Sequence, residues 1–283
     1  MHGCQVVIRR AALAMGVLVM GACAAPGTQR APLPEMPPTA SGVPSDTPDS
    51  TEALMRFVAQ AAGQVQREGR AALEAFAADD GPWQYRDAHL FVLDAEGEAL
   101  HYDGAPHLVG QDLRGFTDTS GRPFVQWQLE ALNNDSGTAS AFYRWPRPQG
   151  IEPVWVASFA QRTAGPNDRM YLVGALRYEL PIDATLLRQL AESAADRLRA
   201  SPGALLREVR DPQGPWIYRE AHVMVVSADG EVVAAPRSRN DALPEAARQW
   251  LEQQDEALVS DDVHGRRVRV HGEAFHVLAI HPE

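Results

Sequence analysis

Lysine is absent from the 283-residue chain: all 26 residues counted as Lys or Arg are arginine. Chemistry that needs an ammonium side chain is therefore excluded, including the Walker A phosphate lysine, Schiff-base catalysis and the Ser-x-x-Lys acyl-enzyme motif. Acids number 37 and the formal net charge is −11 at pH 7. No basic block is present on which affinity for a phosphate backbone could be built, so nucleic acid is not an expected partner. The His-Glu-x-x-His, Gly-x-Ser-x-Gly, Gly-x-Gly-x-x-Gly and calcium-loop spacings are missing as well. No catalytic residue, metal site or cofactor is read from the sequence, and the expected protein is not an enzyme. What remains, 45% hydrophobic and 22% charged residues, is the balance of a folded globular chain.

Cysteine is limited to Cys4 and Cys23. Arg9 and Arg10 precede an apolar run from Ala11 to Met20, too short to remain as a membrane span. The run ends in Met20-Gly21-Ala22-Cys23, which resembles the lipobox of bacterial lipoproteins, with methionine where leucine is usual. Residues 1–22 are accordingly read as a lipoprotein signal peptide, and Cys23 as the lipidated, palmitate-bearing first residue. Cleavage takes Cys4 with it and leaves no partner for an intrachain disulfide. It also leaves 24 arginines against 37 acids, a formal charge of −13. Ala24 after the cysteine, in place of aspartate, places the expected anchor in the outer membrane, facing the periplasm. Residues 23–50 are rich in proline and small polar residues and lack aromatics, so they read as a tether rather than as core.

The folded part repeats itself. GPWQYRDAHLFVLDAEGE from Gly81 aligns with GPWIYREAHVMVVSADGE from Gly214 at an offset of 133, with eleven of eighteen positions identical. Two homologous units are therefore expected, 51–182 and 183–283. Each opens with an amphipathic stripe: Leu54, Phe57, Val58, Ala61, Val65, Leu73 and Phe76 predict one long helix over 51–78. Leu186, Leu187, Leu190, Ala194, Leu198, Leu205 and Leu206 predict its counterpart over 183–209, broken at Ser201-Pro202-Gly203. Leu90–Leu93 and Val223–Val226 predict hairpin strands turned at Gly97 and Gly230. A helix from Pro123 and strands over 138–145, 153–162 and 169–178 complete unit one. Unit two has a helix over 244–256 and strands over 266–270 and 274–280, without a counterpart to Phe142–Pro148. The expected class is α+β, two units each with a long N-terminal helix packed on an antiparallel sheet.

The run GPWQYRDAHLFVLDAEGEALHYDGAPHLVGQDLRG, followed by DTSGRPFVQW and FYRWPRPQGIEP, resembles the single Cache domain of type 2, over residues 52 to 180. Leu108-Val109-Gly110-Gln111-Asp112-Leu113 and Tyr143-Arg144-Trp145-Pro146 stand in the family's order. The resemblance implies a PAS-like sheet and a sensor of small molecules outside the cytoplasm. It implies short carboxylates such as acetate, propionate, pyruvate or lactate as ligands, and unit two resembles a degenerate second copy. Two departures stand out. No stretch after Cys23 has the length and apolarity of a membrane span, so signalling through an envelope partner protein is expected. Val154 stands where the family commonly has a lysine.

A pocket for a small anion needs fixed donors among apolar walls. The resemblance points to Tyr143 and Trp145 as wall and donor. Strand alternation sends Arg144 to the opposite face, so it is a weaker candidate. His89 and Tyr85 complete the candidate ligand-binding set, and their recurrence as His222 and Tyr218 is equally explained by a shared fold with buried aromatics. His264, His271, His276 and His281 read as solvated, with no common face for a metal. The function expected is that of a lipid-anchored ligand sensor. The alternative is a ligand-free envelope scaffold or adaptor lipoprotein, permitted by the missing lysine and the erosion of unit two.

Overall fold

The computed structural model describes residues 47–282, apart from 80, 132, 148–149, 238–241 and 254. Cys23 and the segments read as signal and tether up to residue 46 lie outside the described residues. Among the described residues, no helix is long and apolar enough to cross a membrane.

Unit one begins with α1 (Thr51–Glu68), capped by the Ser50 side chain, and α2 (Ala72–Phe76). The single helix predicted over 51–78 is interrupted because Gly69 adopts φ 60 against Pro166, a left-handed conformation that suits glycine. There follow β1 (Ala88–Asp94), β2 (Ala99–Tyr102), α3 (Phe124–Ala131), β3 (Thr138–Pro146), β4 (Pro153–Ala164) and β5 (Met170–Tyr178), in the antiparallel order β2-β1-β5-β4-β3.

Unit two has α4 (Ala184–Ala200), α5 (Pro202–Arg210), β6 (Ile217–Tyr218), β7 (Ala221–Ser227), β8 (Val232–Ala234), α6 (Glu245–Gln253), β9 (Ala257–Val259), β10 (Val263–Val270) and β11 (Glu273–Ile280). Its main path runs β6-β7-β11-β10-β9, with β8 also on β7. The break between α4 and α5 falls where Pro202 removes a helix donor. One expectation is corrected: β9 pairs with β10 as β3 pairs with β4, so the edge strand absent from the sequence reading exists, shortened to three residues. Both units are antiparallel sheets of the expected α+β class, with corresponding strand orders.

Each central strand is covered on both faces, and so reads as a continuous apolar run rather than an alternation. Leu90, Val92, Val173, Ala175 and Phe159 face α1, while Phe91, Leu93, Leu172 and Leu176 face α3 and the loop before it. Gly174 of β5 is required by this packing, because a Cβ there would lie 2.3 Å from the Phe91 ring and 2.9 Å from a backbone oxygen. The helical faces of the two units are not separate cores. Leu54, Phe57 and Val65 of α1 join Leu187, Leu190 and Ala194 of α4 in one buried cluster, and Tyr218 packs against Phe142 and Trp155 at 5.1 and 5.8 Å. The Tyr218 hydroxyl donates to the carbonyl of Leu180 at 2.7 Å. A single carboxylate joins the helix starts: Asp183 caps α4 through Leu186 N and accepts from Thr51 N of α1 at 3.0 Å. Beside it, Arg177 Nε donates to the carbonyl of Pro48.

The histidines read as solvated include two buried ones. His264 lies on the α4 face of β10, with neither ring nitrogen hydrogen-bonded, and His276 lies under α6 against Trp250 at 5.1 Å. Burial lowers the pKa of both. The C-terminal strands are core strands, so their histidines share the environment of the apolar residues around them.

Candidate functional site

On the α3 face of the first sheet a hollow of about 20 Å³ remains. That is room for about one water molecule. Its apolar wall includes Leu108, Leu113, Phe116, Phe124, Trp145 and Leu176, and its polar rim is His89, Tyr102, Asp103 and Tyr178. Two backbone straps close it. Ala99 N donates to Gln111 O and Gly110 N to Ala99 O, while Leu113 N donates to Gly97 O, so the Leu108–Leu113 motif is stitched to β2. Asp118, almost fully buried, accepts from Ser120 N, Arg122 N and Arg144 N and fixes the loop to β3. Above the sheet, Gln128 of α3 donates to Ser158 at 2.7 Å.

The five candidate residues separate. His89 lines the hollow, with its ring edge-on to Tyr178 at 5.9 Å and its buried Nε2 lacking a hydrogen-bond partner. Desolvation lowers its pKa; Asp103 and Asp87 oppose the shift, and Arg177 adds to it. Trp145 is part of the wall. Tyr143 stands behind it, stacked on Phe124 at 4.0 Å. It does not line the hollow and instead supports Phe124 from behind. Arg144 is exposed, and its guanidinium donates to Pro153 O at 2.9 Å, as the alternation required. Tyr85 lies on the helical side of the sheet, away from the hollow, edge-on to Phe57 at 5.1 Å. Arg86, next in sequence, is exposed, and the neighbouring Asp87 pairs with Arg147 at 3.0 Å.

Three polar residues of the rim were not found from sequence. Tyr102 is stacked on Phe91, and burial pushes its hydroxyl up to about 12. Tyr178 donates to Pro146 O at 3.2 Å, and burial raises its pKa well above the usual range. Asp103 accepts from Leu90 N, Gln84 and His101, so its charge is already engaged. Leu108 and Leu113 belonged to the quoted motif, and that was the available signal. Tyr178 was available only by extending the face of Leu176 along β5 by two residues.

In unit two the corresponding face is covered differently. Trp250 of α6 fills the space over Met224, Val226 and Leu278, and a Cβ at Gly265 would meet its ring at 2.8 Å. Among the described residues no group of three or more His, Cys, Asp or Glu could hold a metal ion.

No family model and no curated protein matches the chain. Among solved structures it is similar to a periplasmic sensor domain of a chemotaxis protein, at 27% identity and TM-score 0.34, covering 45% of this chain and 89% of that one. It is also similar to a Cache chemosensory domain described for carboxylic acid recognition, at 21% identity, TM-score 0.36, and 46% and 92% coverage. A methyl-accepting chemotaxis protein from Vibrio parahaemolyticus matches at 19% identity, TM-score 0.32, and 45% and 84% coverage.

Proposed function

We propose that the protein is a lipid-anchored sensor outside the cytoplasm, in which unit one binds a small metabolite and a partner protein in the envelope reads its occupancy. The observation that carries this reading is the buried Nε2 of His89, left without a partner at the wall of a largely apolar hollow. An unsatisfied buried nitrogen costs about 1–3 kcal/mol, which a ligand atom bonded to it would recover. Short carboxylates are the class to test first, with His89 as donor. Because the closed hollow holds about one water, anything larger must displace the cover that includes Leu108 and Phe116.

Thermal unfolding of the mature chain against a panel of short carboxylates and their amides tests this. A true ligand at 100 times its Kd stabilises by about 2.7 kcal/mol. A panel without any shift would favour the second reading, a ligand-free scaffold, which the small hollow and the plugged second unit support. The anchor is tested separately. A clickable palmitate analogue fed to expressing cells is expected to label the wild type and not Cys23→Ser, and equal labelling of both would remove the lipid from the proposal.

A further inference from the structure

Between the units runs a second cavity, about 260 Å³, bounded by α3 and the turn after it on one side and by α4, α5 and the second Gly-Pro-Trp turn on the other. It is an order of magnitude larger than the hollow of unit one and shares no lining residue with it. Its lining holds two half-buried indoles, Trp127 from unit one and Trp216 from unit two, with Glu130, Asp196, Glu208 and Arg197. The two copies of the repeat use their tryptophan differently. Both are half-buried against the same core, but Trp83 packs on Phe57 and Phe76 at 5.6 and 5.0 Å, whereas Trp216 also lines the cleft.

The Trp216 ring is held in place. Its N–H donates to Glu208 at 3.1 Å, and the same carboxylate takes Arg197 Nη2 at 2.5 Å, so Glu208 and Arg197 are spent on each other and on fixing the indole. Asp196 is paired with Arg199 at 2.7 Å. Glu130 accepts from the neutral amide of Gln126 at 2.8 Å, so that bond leaves its negative charge in place. Three carboxylates against two guanidiniums leave the cleft negative. Aromatic faces beside uncompensated negative charge recognise a cation whose charge is spread and weakly hydrated. A carboxylate ligand would meet repulsion here.

We propose that the cleft between the two units is a binding site for a small organic ammonium, held against the indoles of Trp127 and Trp216 with Glu130 supplying the opposing charge. Such a ligand would touch both units at once. The site is independent of the His89 hollow, so the two can fail separately.

The test is calorimetric titration of the mature chain with choline and tetramethylammonium, alongside the uncharged isostere of choline in which a tert-butyl group replaces trimethylammonium. Choline is expected to bind at least about tenfold more tightly than the isostere. Trp127→Leu and Trp216→Leu are each expected to weaken it by about tenfold. Glu130→Gln, an exposed change that leaves the core untouched, is expected to weaken it several-fold and to flatten its salt dependence. Absence of binding by either ammonium, equal binding of the isostere, or unchanged affinity in the tryptophan variants with native circular dichroism would each overturn the proposal. Should either tryptophan variant fail to fold, Glu130→Gln decides: unchanged affinity and salt dependence overturn it.

Discussion

Trp250→Ala is expected to destabilise the protein by about 3–5 kcal/mol, the range for deleting a large buried aromatic. The indole is 3% exposed and is the largest side chain in the α6 core of unit two. Its neighbours are poorly placed to collapse into the space it leaves. β10 approaches it through Gly265, which has no side chain to move inward, while Leu278 stands on β11, paired to β10 and β7, and Met224 on β7, paired to β11. Its own N–H has no hydrogen-bond partner, so removal recovers one small penalty and the loss falls toward the lower end of the range. Chemical denaturation of wild type and variant measures it. Because α1 and α4 share one core, a single transition shifted to lower denaturant is expected, not a separate early step for unit two. A loss below about 1 kcal/mol would show that α6 rests on the sheet without being held by it.

If unit one takes a carboxylate at His89, affinity should rise as pH falls, by up to about tenfold per pH unit. In the empty site His89 is neutral at pH 7, because burial lowers its pKa below 6.5. A bound carboxylate favours the imidazolium and raises that pKa, so binding takes up a proton. Affinity climbs as pH falls from the complex pKa to the empty-site pKa, and the gain is complete below the latter. The groups facing the ring set where that window lies: Asp103 and Asp87 move it upward, and Arg177 moves it downward. His89→Gln should abolish the slope while leaving a neutral donor. An amide of the same size should show no slope with either protein, and a pH-independent carboxylate affinity would remove His89 from the site.

Much of the fold was legible because backbone chemistry and burial leave local marks. The duplicated Gly-Pro-Trp block, the proline at 202 and the turn glycines 97 and 230 each fix a conformation within a few residues. The break at Gly69 was not legible, since the apolar stripe passes through it and its cause, Pro166, is nearly a hundred residues away. β9 was missed for a related reason: three residues carry no period, and only pairing with β10 makes them a strand. At the site, alternation along β3 correctly separated Arg144 from Trp145. It could not say that Tyr143 would be screened by Phe124, because that depends on where α3 lands. Tyr85 went astray because the turn before β1 carries no period from which to choose a face. The fate of His264 and His276 turned on whether the last strands are central or peripheral, which is set by sheet order.

The carboxylate of Asp183 has a mechanical consequence. It holds the beginnings of both long helices, and the chain arrives at that corner through Pro48, itself pinned by Arg177. A pull applied at residue 47 therefore enters where the two halves are stapled, so it loads α1 and α4 in parallel instead of peeling one half from the other. Tension entering there would be felt first as strain on a single acid and a single arginine.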